Sequence, residues 1–354
     1  MTSEVETPLT SEEPLTGTRR PGAAATIYDV ARLAGVSPST VSRALGKPGR
    51  INARTQAKVQ AAADELHYRL NPMASALPTG RSTTFGMLVA DFTNPVFFEM
   101  VRGAEAVAAE HGYTLILSES EESGQREAER GRRLLPAVGG LVLATTRLTD
   151  DEILALSAEK PLVLINRRVP GVDSVVADVV PGIDSALSLL QELGHTSIAY
   201  LAGPERSWIG ARRWDHLLDA APPRGLRIVE IPTSSPTIDG GRGSLARVRA
   251  AGVTAVVAYN DLLAIGLMKE AAESGMRLPD DLSIVGFDDI FGADLTAPAL
   301  TTIKTPLRAV GQRAMQKLLD AAGSEDRASA VEDERPLETE LVVRQSTAAP
   351  RARD

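Results

Sequence analysis

Between Thr26 and Leu45 the chain reads TIYDVARLAGVSPSTVSRAL, a spacing suited to reading base edges in DNA. Pro38, Ser39 and Arg43 fall where the second helix of a helix-turn-helix meets the major groove. Thr40 and Ser42 carry hydroxyls suited to phosphate contacts, while Val41 and Leu45, four residues apart, turn back toward a small core. The elements that must hold these side chains are legible nearby. Val30, Ala31 and Ala34 give a first helix its apolar face, Gly35 permits a sharp turn, and Ser37 before Pro38 is a cap-then-proline start. A third helix is predicted from about Thr55 to His67, where Val59, Ala62, Ala63 and Leu66 form a stripe that closes a three-helix headpiece. A helical hairpin without a DNA partner could share such a turn; the full run of cap, turn and apolar spacing from Thr26 to Leu45 argues against it.

Charge is divided to the same effect. The chain carries a formal −8, which alone would repel nucleic acid. Residues 24–81 hold Arg32, Arg43, Lys47, Arg50, Arg54, Lys58, Arg69 and Arg81 against Asp29, Asp64 and Glu65, a net +5 that leaves −13 for the remainder. Phosphate contacts from such a patch supply salt-dependent affinity.

From residue 83 the pattern becomes an alternation of apolar runs and helical stretches. FGMLVAD at 85, TLILSE at 114, GLVLAT at 140, PLVLIN at 161 and SVVAD at 174 are predicted strands buried on both faces, with helices from Asn94 to His111 and near Gln125 to Pro136. The rhythm restarts with SIAYLAG at 197, RIVEIP at 227, TAVVAYN at 254 and SIVGFDD at 283. Two doubly wound parallel-sheet lobes follow, and ligands in such folds sit beyond the carboxyl ends of strands. Asp91, Asn166, Asp178, Asn260, Asp261, Asp288 and Asp289 all follow strands there. Each could instead merely cap the next helix, but five strand ends converging on one cleft favour a site.

Composition limits the remaining chemistry. No cysteine is present, which excludes disulfides, thiolate metal sites and cysteine catalysis. No run of eighteen apolar residues occurs, so no membrane span is expected, and the start lacks a secretion signal. Residues 1–25, acidic and threonine-rich, are expected to be a disordered tail; a start codon placed too far upstream would read the same way.

The string at 26–43 closely resembles the headpiece of the lac-repressor (LacI/GalR) family of bacterial transcription regulators, whose signature runs T-I-x-D-V-A-x-x-A-G-V-S-x-x-T-V-S-R. Thirteen positions match, from Thr26 and Ile27 through Asp29, Gly35 and Ser37 to Arg43. The resemblance extends to LVVRQST at 341, covering about residues 26–347. It implies operator contacts from Thr26, Tyr28, Ser37, Pro38, Ser39, Thr40, Ser42, Arg43 and Arg50, and from a hinge at 71–82 in which Leu77 wedges into the minor groove while Ala74 meets its dimer mate and Asn71 lies close to the DNA. For the cleft it implies a small effector, most often a sugar or purine, held by Asn166, Arg213, Asn260 and Asp288, with Asp91 and Phe97 alongside. A guanidinium and a carboxylate can each hold paired sugar hydroxyls. Trp208 is placed either to stack on a sugar face or as core, and of Phe97 and Phe98 one is expected to be core. Departures from the family pattern are His216 in place of glycine, a short stretch before RIVEIP, Val179 where asparagine is frequent, and Ser75 and Pro78 where arginine is frequent.

The resulting expectation has these bounds: a tail at 1–25, a headpiece at 26–70, a hinge at 71–82, a body at 83–347 and a tail at 348–354. Lobe 1 takes about 83–179 and 305–330, lobe 2 about 180–304 and 331–347. The protein would be a cytoplasmic, nucleoid-associated homodimer on a near-palindromic double-stranded operator, a repressor of a sugar uptake or catabolism operon without cofactor, metal or membrane contact. After Thr347 no leucine heptads remain to build a tetramer. Control by a protein partner is a second reading. A cleft enzyme using Asp288, Arg213 and His195 is a third, weakened because His195 directly precedes a strand and no nucleophile elbow, phosphate loop or H-E-x-x-H is present.

Overall fold

Thr26 opens the first helix by a reciprocal cap, its side-chain oxygen accepting the Asp29 amide while the Asp29 carboxylate accepts the Thr26 amide at 2.9 Å. The computed structural model describes residues 25–46, 51–68, 82–323 and 336–351, and the chain divides into two compact units, Met1–Gly80 and Arg81–Asp354. The first contains α1 (Ile27–Ala34), α2 (Pro38–Gly46) and α3 (Ala53–Glu65). Gly35 ends α1 in the left-handed region at φ +67, which glycine enters without a Cβ clash. Ser37 then starts α2 by accepting the Thr40 amide at 3.2 Å. One valine from each helix, Val30, Val41 and Val59, is fully buried, and Ala31, Ala44, Ala62 and Ala63 pack around them. Helix α3 begins two residues earlier than the predicted Thr55 because Asn52 accepts the Arg54 amide at 2.9 Å.

In the second unit β1 (Thr84–Val89), β2 (Thr114–Glu119), β3 (Leu141–Ala144), β4 (Leu162–Ile165) and β5 (Asp173–Val175) form an all-parallel sheet in the order β2-β1-β3-β4-β5. Helices α4 (Val96–Glu110), α5 (Gly124–Leu134) and α6 (Asp150–Glu159) connect these strands. The chain crosses into α7 (Val180–Glu192), β6 (Ser197–Leu201), α8 (Trp208–Ala220), β7 (Arg227–Ile231), α9 (Ile238–Arg242), α10 (Leu245–Ala251), β8 (Ala255–Ala258), α11 (Asp261–Glu273), β9 (Ser283–Asp288) and β10 (Thr301–Lys304). It returns to pack α12 (Leu307–Gly323) on α4 and the first sheet, then crosses again to place β11 (Glu340–Val342) antiparallel at the edge of the second. That second sheet runs β11-β10-β9-β8-β6-β7, so both lobes share one doubly wound order.

Three expectations fail here. TLILSE is not buried on both faces: β2 pairs only with β1, and its free edge leaves Leu117 exposed. SVVAD yields a strand of only three residues, because Asp178 already bonds to residues on the returning chain. Residues 348–351 are not a tail. Ala348 exchanges hydrogen bonds with Ser283 at 3.0 Å and accepts from His195, and Arg351 pairs with Asp281, so they finish the second lobe.

The seam between α4 and α12 depends on two glycines. A methyl built on Gly103 falls on the Arg308 carbonyl oxygen, and one on Gly311 falls on that of Met100. Neither neighbour is a side chain that can swing away. Gly311→Ala is therefore expected to lower the unfolding free energy of the body by on the order of 3 kcal/mol, seen as a lower urea midpoint. An unchanged midpoint would show that the helices separate without cost.

Candidate functional site

On the headpiece, Tyr28, Ser39 and Arg43 stand exposed around the start of α2, with Pro38, Thr40 and Ser42 partly covered. Arg43 folds back on its own helix, donating from Nε to the Ser39 carbonyl at 3.2 Å. The hydroxyls of Ser37, Ser39 and Thr40 form a bonded group, with Ser37 Oγ 2.9 Å from each of the other two, and Thr26 donates its hydroxyl to Asp29 at 2.7 Å. Capping and surface display thus fall to the same residues. Arg50, Asn71, Ala74 and Leu77, with the hinge departures Ser75 and Pro78, lie outside the described residues.

In the body, side chains from both lobes close around an internal cavity of about 30 Å³. Arg213 and Asp288 form its charged floor: Arg213 Nη2 donates to Asp288 Oδ1 at 3.0 Å, both residues are buried, and Arg213 Nη1 donates to the Tyr259 carbonyl. The guanidinium lies over the Phe287 ring, 3.5 Å from its centroid. From the first lobe come Asn94, Phe97, Glu122, Thr145, Arg147 and Asn166, and from the second Ile209, Tyr259 and Asn260. Asn260 does two jobs, capping α11 through the Leu263 amide and donating to the Pro236 carbonyl at 2.9 Å. Arg147, fixed to Glu122 at 2.7 Å, faces Tyr259 of the other lobe across the cavity, close enough for the two side chains to interact electrostatically.

Four non-glycine residues on this cavity wall have left-handed backbones: Glu122 (φ 57), Thr145 (φ 58), Asn166 (φ 59) and Asp288 (φ 103). Such strain concentrates where side chains must be aimed at a ligand. Five of the predicted effector residues, Phe97, Asn166, Arg213, Asn260 and Asp288, line the cavity.

Two do not. Asp91 turns its carboxylate onto the amide and hydroxyl of Thr93, both at 2.7 Å, and acts as a turn cap. Trp208 begins α8, packs on the second lobe's core and faces a different, outer cavity. Among the other strand-end carboxylates, Asp178 caps the Val180 amide at 3.0 Å and Asp289 pairs with Arg344 at 2.6 Å. Phe98 is exposed while Phe97 is core and cavity wall together. Arg147 and Tyr259 join the site without having been expected there; their one signal in the sequence is that both lie close behind strands, β3 and β8. His195 is half of a structural bridge, 2.8 Å from Thr254 Oγ1 and 3.0 Å from the Ala348 carbonyl, and burial lowers its pKa.

Asp261 sits under the cavity floor. Its carboxylate accepts Thr302 Oγ1 at 2.6 Å and the Ile290 amide at 2.8 Å, and burial pushes its pKa up to about 8. Burial likewise raises Asp288, against the pull of Arg213. A raised folded-state pKa means the native state holds a proton that the unfolded chain releases above about pH 4, so stability is lost as pH rises through about 8. The body's thermal midpoint is expected to fall from pH 6 to pH 8 and level off above 9, with Asp261→Asn flattening that slope in calorimetry. An identical slope in the variant would remove Asp261 from the account.

Together, a helix-turn-helix and a two-lobed body with a polar interlobe cavity define a class, the DNA-binding transcription regulators with a periplasmic-binding-protein-like body. Residues 26–71 match the model for bacterial regulatory proteins of the lacI family, and residues 187–347 match the periplasmic binding protein-like domain. The chain belongs to the lacI family. It is 35% identical to the HTH-type transcriptional regulator GalS of Salmonella typhimurium over 85% of this chain and 91% of that protein. The HTH-type transcriptional repressor CytR of Escherichia coli is 31% identical over 92% of this chain and 97% of its own length. Among solved structures, the Lac repressor dimer bound to operator and an anti-inducer superposes with a TM-score of 0.80 at 28% identity, covering 92% of this chain and all of that one. These relatives are regulators, and the protein is a DNA-binding transcription regulator rather than an enzyme. Among the described residues no helix is long and apolar enough to cross a membrane.

Proposed function

We propose that the protein is a repressor of a sugar uptake or catabolism operon, released or engaged by a small sugar in the interlobe cavity. The observation that carries this reading is the buried Arg213–Asp288 pair, whose Arg213 Nε has no partner among the described residues. A guanidinium with spare donors beside a carboxylate with spare acceptors suits vicinal hydroxyls. Cavity-lining amides at Asn94, Asn166 and Asn260 add donors and acceptors, and Phe97 and Tyr259 add apolar faces. Solved relatives lend support: the regulator CelR is known in complex with cellobiose (TM-score 0.64, 27% identity), and an Enterococcus faecium LacI-family regulator with ribose (0.66, 29%).

The free volume admits little more than a water molecule, so a sugar requires the lobes to part, drawing Arg147 away from Tyr259. That geometric difference supplies the differential affinity that allosteric control demands, typically about 1–3 kcal/mol of coupling. On DNA the reading takes a homodimer on a near-palindromic operator, with Tyr28, Pro38, Ser39, Ser42 and Arg43 facing it and the hinge residues Asn71, Ala74 and Leu77 completing it. Exposed Phe291 and Leu295, between β9 and β10, offer apolar area for the dimer.

A panel of mono- and disaccharides tested by thermal shift on the full chain checks the cavity reading. One or more sugars should raise the midpoint saturably, with the effect abolished in Arg213→Met. No saturable response across pentoses, hexoses and disaccharides would oppose a sugar effector.

A further inference from the structure

A second cavity of about 750 Å³ lies beside the interlobe cavity, the two sharing the wall residue Ile209. Its lining differs in kind. Among the described residues three guanidinium side chains border it from three separate elements: Arg168 in the β4–β5 connection, Arg212 on α8 and Arg313 on α12, the last already engaged by another group. The first and last belong to one lobe and Arg212 to the other. Arg168 and Arg212 have no carboxylate partner among the described residues, in a chain whose net charge is −8. Among the described residues the one carboxylate on its lining is that of Asp178, which is committed to capping the Val180 amide. Trp208 supplies a large partly buried aromatic surface on the same wall. Helices α7 and α8, thirteen residues each, both have first-turn residues on this cavity, where the positive ends of their dipoles lie.

We infer that this cavity is a second ligand site, one that takes a small phosphorylated metabolite and through it ties the two lobes together. A phosphate presents three oxygens and about two charges, and so can accept from guanidinium forks on different elements where a single carboxylate would serve only one of them. The volume falls within the range of small-molecule pockets, leaving room for a sugar or similar body against Trp208. Because Arg168 and Arg212 stand on opposite lobes, the ligand has higher affinity for one lobe arrangement, and linkage then requires it to alter whatever the other cavity or the DNA binds. The site goes beyond the sugar reading and does not depend on it.

The test titrates the full chain with inorganic phosphate and with glucose 6-phosphate at fixed ionic strength, reading the thermal midpoint of the body and binding heats, for the natural sequence and for R168Q/R212Q. Both residues are exposed, so the double variant should keep the natural midpoint in chloride. Saturable binding of either probe, weakened at least tenfold in the double variant while DNA binding is retained, supports the site. Tighter binding of glucose 6-phosphate than of phosphate assigns a phosphorylated sugar-sized ligand; equal affinities assign the free anion. Headpiece binding of phosphate would persist in the double variant and is thereby separated. No saturable binding of either probe, or equal affinity in the double variant, overturns the inference. Loss of the response to neutral sugars in Arg213→Met, with phosphate binding intact, would bear on the interlobe cavity alone.

Discussion

Asp288→Ala is expected to destabilise the body by about 3–5 kcal/mol, a larger loss than truncating its partner should cause. Removing one member of a buried ion pair strands the other charge. Arg213 cannot discard its proton, so in Asp288→Ala a full positive charge remains buried, with the Tyr259 carbonyl and the Phe287 and Tyr259 rings, but no anion, to compensate it. The reverse change, Arg213→Met, leaves a carboxyl that burial already drives toward its neutral form and that Thr305 Oγ1 still touches at 3.3 Å, so protonation relieves it. Methionine also preserves much of the packing on Phe287. Urea unfolding of the two variants at pH 7.5 measures the asymmetry. Equal losses would mean that water reaches the pair and screens it. Lowering the pH should narrow the loss in Arg213→Met and leave that in Asp288→Ala unchanged.

Val41→Asp is expected to abolish specific operator binding, a loss of roughly 10³-fold or more down to the non-specific level, while leaving the body's unfolding midpoint unchanged. Among the described residues of the headpiece seven small side chains are buried in its core, with larger ones such as Leu45, Ile51 and Leu66 packed half-buried against them, and Val41 is completely covered. An unpaired carboxylate there costs more than a domain of this size can supply. Body and headpiece are separate compact units, so the damage should stay local. Arg43→Ala makes the informative comparison. Removing one exposed side chain from a correctly folded α2 should cost about 1–3 kcal/mol, tenfold to a hundredfold, and should relax sequence preference rather than erase it. Fluorescence anisotropy on operator DNA distinguishes the two; retained specificity in Val41→Asp would contradict the role of this core.

How much of this was legible in the sequence follows from how local each feature is. The headpiece depends on caps and a turn within twenty residues, and Thr26, Gly35 and Ser37 announce them by type alone. Strand β2 was misread because TLILSE is apolar, yet being an edge depends on which strands arrive beside it. Three of the cavity's polar residues are signalled by strand ends, since Asn166, Asn260 and Asp288 each directly follow or end an apolar run, whereas Arg213 entered through the family resemblance. Asp91 sits at an equivalent place but is consumed by Thr93 two residues later, a competition that spacing alone does not resolve. Trp208 and Arg213, five residues apart at the start of one helix, face different cavities because α8 turns between them. Arg147 and Tyr259 came to light only with the fold, since they meet across 112 positions of sequence. Nothing in AAPRARD signals that Ala348 closes hydrogen bonds with Ser283 and His195, partners more than sixty residues away.

The measurement that bears most directly on the central claim is selection of genomic DNA fragments by the purified full-length protein at moderate salt, repeated with Val41→Asp. The account predicts a small set of near-palindromic sites, upstream of sugar uptake or catabolic genes, recovered by the natural protein and lost in the variant. Diffuse recovery that vanishes as salt is raised, or recovery equal for the two proteins, would contradict it.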